Sequence, residues 1–110
     1  MSKFILFIRE DLSRYPLPKD TLETLIKAHT NWAKDLASRG VFIDGYGLES
    51  AGFLIEKKGG KLVENKLRDV KEGIGGFYII KAENIDEAKA IASECPTFDE
   101  GDLIEVRPLM

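Results

Sequence analysis

Residues 3–9 read Lys3-Phe4-Ile5-Leu6-Phe7-Ile8-Arg9. Successive side chains of a strand point to opposite faces, so five apolar residues in a row put hydrophobic groups on both. A strand with one wet face would not need five. The segment therefore predicts a strand covered on both sides. Phe77-Tyr78-Ile79-Ile80 is a second run of the same kind, preceded over residues 73–76 by glycines that read as a turn or a bulge leading into the strand.

Outward from the first run, Tyr15-Pro16-Leu17-Pro18 forms a stiff connection, because each proline disfavours helix in the residue before it. Pro18 can itself serve in a first helical turn. Leu22, Leu25, Ile26, His29, Trp32, Ala33, Leu36 and Ala37 then fall at offsets of three, four and seven, the stripe of an α-helix. Gly40 stands where a left-handed terminating residue is wanted, so the helix is predicted to end at Ser38 or Arg39. Residues 41–49 read as a second strand, with Gly45 and Gly47 marking a bulge or a close backbone approach. Phe53-Leu54-Ile55 and Leu62-Val63 flank Gly59-Gly60, a hairpin signal. Asn84 with Glu87 three residues on has the form of a capping box. It opens a second helix whose stripe, Ile85, Ala88, Ile91, Ala92 and Cys95, is stopped by Pro96. Residues 103–107 read as a closing strand.

The order strand, helix, strand, hairpin, strand, helix, strand is that of an α+β ferredoxin-like domain, βαββαβ, with an inserted β-hairpin. Two helices cover one face of a four-stranded sheet, yet the two apolar runs supply both faces. The second face must meet another sheet, so a homodimer packed sheet on sheet is expected.

The chain has 110 residues, which bounds it to a single domain spanning 1–110. No apolar run approaches the ~18 residues a membrane helix needs, and Arg9, Glu10 and Asp11 follow the first run too soon for a secretory signal. No membrane association and a cytoplasmic location are expected. One His and one Cys cannot assemble the usual structural zinc site, so no metal or cofactor is expected. The glycines of residues 71–77 precede a strand, where a dinucleotide fingerprint needs them after one and opening a helix. A net charge of -3 and a missing second aromatic argue against RNA, so no nucleic acid partner is expected.

The candidate site residues follow from these elements. His29 is the single imidazole and lies on the apolar stripe, one turn before Trp32, facing the cleft between helix and sheet. Its catalytic reading is a general base; its bland reading is a satisfied boundary histidine. Tyr46, Glu49, Tyr78 and Arg107 sit on strands from which each could line a ligand pocket or make a surface contact. Cys95 reads as a packing residue, since a helix C-terminus disfavours a thiolate.

Val70-Lys71-Glu72, Gly75-Gly76-Phe77-Tyr78-Ile79-Ile80, Asp86-Glu87-Ala88, Cys95-Pro96 and Ile104-Glu105-Val106-Arg107-Pro108 together resemble the YCII-related family, in particular its DGPF branch. The likeness covers nearly the whole chain. It departs where Glu64-Asn65-Lys66-Leu67-Arg68 stands in place of Asp-Gly-Pro-Phe. The resemblance implies a dimeric α/β barrel. In enzyme-like members, some of them dehydrochlorinase-like, a histidine of the first helix and an aspartate before the proline after the second helix are taken as an acid-base pair. His29 matches the histidine, whereas Cys95 takes the aspartate's place, so the pair is broken.

Two functions are carried forward. The favoured one is a non-catalytic module that binds a small polar or anionic molecule, or assembles, as a homodimer. The other is a small acid-base enzyme, a lyase or dehydrochlorinase-like activity, using His29 in a helix-sheet crevice.

Overall fold

A computed structural model describes residues 1–67, 72–97 and 102–110. Val70, Lys71 and Arg68, quoted above for the family likeness, lie outside the described residues. Strand β1 (Ser2–Glu10) is followed by a short 3-10 turn (Leu12–Arg14), helix α1 (Lys19–Ser38) and strand β2 (Phe42–Gly47). A hairpin, β3 (Phe53–Lys58) and β4 (Lys61–Lys66), precedes β5 (Gly73–Ala82), α2 (Ile85–Ala92) and β6 (Leu103–Pro108). The main sheet has the order β2-β5-β1-β6, with every neighbouring pair antiparallel. This is the ferredoxin-like α+β arrangement expected from the element order, with the hairpin as a separate two-stranded sheet.

Local chemistry accounts for the boundaries. Gly40 ends α1 with φ +74°, a conformation that costs a residue with a Cβ more than glycine, and its N–H donates to the Ala37 carbonyl. Asn84 caps α2 by accepting from the Glu87 N–H at 2.9 Å. Gly59 and Gly60, both at positive φ, make the two-residue hairpin turn. Strand β2 is shorter than the predicted 41–49, because the Val41 N–H is taken by the Leu36 carbonyl of α1. Helix α2 stops before Cys95, whose N–H closes a tighter turn on the Ala92 carbonyl.

Of the two readings of residues 73–76, a turn or a bulge, the structure has the bulge, and these residues belong to β5. Ile8 pairs with Gly76 and Arg9 with Ile74, so Gly75 is the extra residue of a β-bulge. Of the two meanings offered for the β2 glycines, Gly45 has the close approach, since a Cβ there would lie 3.1 Å from the Tyr78 ring; the bulge of β2 falls earlier, between Phe42 and Asp44, and not at Gly45 or Gly47.

Both helices pack on one face. The core joins Phe4, Leu6 and Ile8 of β1 and Tyr78, Ile80 and Ala82 of β5 to Trp32 and Leu36 of α1 and Ala88 and Ile91 of α2. The C-terminal ends of the helices are tied by Glu94, which accepts from Trp32 Nε1 at 3.2 Å and from Arg39 at 2.8 Å. Arg39 holds the Glu94 carboxyl below its ordinary range. On the opposite face Ile5, Phe7, Phe77 and Ile79 are half-buried with no helix over them. The predicted stripe of α1 is buried only in its second half: Leu22 and Ile26 are exposed. They overhang a cavity.

Candidate functional site

The cavity lies between the first half of α1 and the sheet and has a volume of about 740 Å³, within the usual range of small-ligand pockets. Ile8, Leu22, Leu25, Ile26, Ala33 and Phe42 form its apolar walls. Its polar groups include Glu10 at the end of β1, Tyr15 after it, His29 on α1, Tyr78 on β5 and Glu49 beyond β2. Thr97 adds a buried hydroxyl from the turn after α2.

His29 and Tyr78 form one unit. His29 Nδ1 lies 2.5 Å from the Tyr78 hydroxyl, and the rings stack with centroids 5.8 Å apart. Tyr78 is in turn held edge-on by Trp32 at 4.7 Å and Phe42 at 6.4 Å. Burial pushes the His29 pKa below its ordinary value and raises that of Tyr78. The imidazole is therefore neutral at pH 7, and whichever tautomer it adopts, one ring nitrogen is committed to Tyr78 and one remains. Among the described residues no carboxylate forms a hydrogen bond or ion pair with His29. The Asp44 carboxylate accepts from the Gly45 N–H at 2.9 Å.

Glu10 is a second polar end. It is 8% exposed, and desolvation is the chief reason its pKa is raised. The Tyr15 hydroxyl donates to it, and the Asp102 carboxyl lies against it. Asp102 is also buried and pairs with Arg14 at 2.9 Å. The bulge residue Gly75 makes room for this carboxyl, since a Cβ built there would collide with Glu10 Oε1.

Of the residues singled out by sequence, His29, Tyr78, Glu49 and Tyr46 all border the cavity. Tyr46 does so from its rim: its ring is 64% exposed and lies beside Phe77, 6.1 Å away. Arg107 is not brought to the cavity. It pairs with Ile5 in register, so it shares the face of β6 that no helix covers, where it reaches Glu105 at 3.9 Å. Glu10, Tyr15 and Thr97 were missed. A signal for Glu10 exists in the two-residue period of β1, where Phe4, Leu6, Ile8 and Glu10 all point under the helices.

Cys95 faces Thr97, Sγ to Oγ1 at 3.1 Å, not His29. It is 4% exposed and burial pushes its thiol pKa up. Native protein should therefore react with a disulfide reagent many times more slowly than unfolded protein, followed by absorbance of the released thiol. Rapid native labelling would contradict its role as packing.

Among the described residues no cluster of His, Cys, Asp and Glu could hold a metal ion, and no helix is long and apolar enough to cross a membrane. A search among curated proteins finds no match. The family model of the YCII-related domain matches residues 3–110. With that match running through both apolar strands, the His29 helix and the closing strand, the chain belongs to the YCII-related family.

Proposed function

We propose that this protein is a non-catalytic small-molecule-binding module that acts as a homodimer. The observation that carries the reading is the cavity itself: a ligand-sized space beside a neutral His29 whose partner is a tyrosine hydroxyl. A general base needs a carboxylate or equivalent to fix and strengthen it, and a hydroxyl supplies orientation without basicity. The missing Asp-Gly-Pro-Phe and the Cys95 in the aspartate's place point the same way.

The dimer is supported by Ile5, Phe7, Phe77 and Ile79 on the helix-free face, which a second sheet would cover. Two sheets so packed would form the barrel implied by the family. The lone, buried Cys95 suits a reducing compartment, and we place the protein in the cytoplasm on that ground.

The binding reading is tested at His29. An NMR titration should give a pKa below 6.5, as desolvation dictates. The sign for stability follows: a lowered folded pKa contributes stability above the unfolded value and loses it as pH falls through the folded one. His29→Gln, which keeps a donor and an acceptor, should leave the protein folded at neutral pH and remove that acid-side loss. A measured pKa well above 7 would restore the acid-base enzyme.

A further inference from the structure

We propose that Glu10 is the ligand-anchoring residue of the crevice, and that the ligand it anchors is a small amine with an apolar or aromatic body. The inference deepens the binding reading above and rests on it. Three observations on different elements converge on it.

The first is the charge of the lining. Glu10 and Glu49 border the cavity, and among the described residues no lysine or arginine does. An anion brought there would meet two carboxyl groups and no cation of the described lining, which favours a cation or a neutral donor over the anionic half of the expected ligand class.

The second is the pairing of the two buried carboxyls. Buried charges in proteins are normally paired. Asp102 has Arg14 at 2.9 Å. Among the described residues no cation lies within ion-pair distance of Glu10: the Tyr15 hydroxyl donates to it, Asp102 lies against it, and Arg14 acts on it from farther off while paired with Asp102. Its open side is the cavity. An ammonium group entering there would give Glu10 the direct partner that Arg14, engaged by Asp102, does not supply.

The third is the β-bulge. Gly75 removes the side chain that would otherwise occupy the space of the Glu10 carboxyl, and the extra residue shifts β5 past β1 at that level. Bulges of this kind re-aim side chains next to functional sites. Leu48 N–H donates to the Gly75 carbonyl at 2.8 Å, tying the segment that carries Glu49 to the same bulge.

The far end of the ligand is defined by the fold. Tyr78 pairs with Leu6, four residues from Glu10 along β1. That separates the two polar ends by roughly 13 Å of strand, with apolar walls between them. A molecule with an ammonium at one end and a hydroxyl on an aromatic ring at the other reaches from Glu10 toward His29 and Tyr78.

Tyramine, tyrosol and para-hydroxyphenylacetate differ only in carrying an amine, an alcohol or a carboxylate at the same place. Calorimetric titration of the intact protein should show tyramine binding roughly tenfold or more tighter than tyrosol near pH 8, with the carboxylate weakest. Tyramine affinity should rise with pH until Glu10 is ionised, because below that point binding must first release its proton. The groups facing Glu10 are Tyr15 and Arg14 after β1 and Asp102 before β6, with His29 and Glu49 across the cavity. Glu10→Gln should erase both the preference for tyramine and the pH slope while leaving tyrosol binding within about threefold. Gly75→Ala, which displaces the carboxyl by another route, should reduce the preference in the same direction. Equal binding of tyramine and tyrosol, or a preference that survives Glu10→Gln, would overturn the role of Glu10 and leave the crevice reading standing. Failure of all three to bind the wild-type protein would overturn both.

Discussion

Ile79→Asp should yield a folded monomer, and Ile80→Asp should yield no folded protein at all. The two residues are adjacent in β5 and chemically identical, so the contrast isolates the face. Ile80 is fully buried against the helices, at 0% exposure. An unpaired carboxylate there costs several kcal/mol, a large part of the ~5–15 kcal/mol that holds a domain together. Ile79 stands on the helix-free face with Ile5, Phe7 and Phe77, where a charge is costly only once a second sheet covers it. Sedimentation velocity at micromolar concentration should show a dimer for the wild type and a compact monomer for Ile79→Asp, with circular dichroism unchanged. A wild-type monomer would remove the dimer from the proposed function. An Ile79→Asp dimer would move the interface elsewhere.

The next largest effect is expected at Tyr78, which joins the core to the crevice. Tyr78→Ala deletes the ring that contacts Trp32, Phe42 and His29. A buried aromatic truncated to alanine costs about 3–5 kcal/mol, so thermal unfolding should shift down by more than roughly 10 °C. Tyr78→Phe keeps the ring and removes only the hydroxyl at His29 Nδ1. His29 is half-buried and its nitrogen can recover water, so the cost should stay near 1 kcal/mol. The same variant should raise no new activity but should loosen the imidazole, visible as broadened His29 resonances. Equal losses from the two substitutions would mean that the hydroxyl, not the ring, carries the stability.

The sequence disclosed this fold unusually far, and the reasons are local. The runs at Phe4 and Phe77, the glycine at the end of α1, the Asn84 cap and the Gly59-Gly60 turn are each decided by residues within a few positions of one another. What it left open depends on register. Whether Arg107 faces the cavity or the bare side of the sheet is a matter of phase, and the phase of β6 is set by pairing with β1 at the other end of the sequence, where Arg107 stands opposite Ile5. Glu10 was legible as an inward position only by carrying the two-residue period of β1 past the last apolar side chain. The glycines before Phe77 fit a turn or a bulge equally until the carboxyl that occupies their missing side-chain space is known. Leu22 and Ile26 carry the same apolar signal whether they cover a core or overhang a cavity.

The strand order places β1, the segment a ribosome makes early, between β5 and β6, which it makes late. Neither edge of β1 can find its partner until residue 73 and then residue 103 have been synthesised. Until those residues are made, the Phe4–Ile8 run is therefore an apolar strand with two open edges, the kind of segment that pairs with the wrong chain. Folding dominated by such distant pairings is slow. The nascent chain is thus expected to be a client of chaperones that bind short hydrophobic stretches, with the first ten residues as the recognised segment.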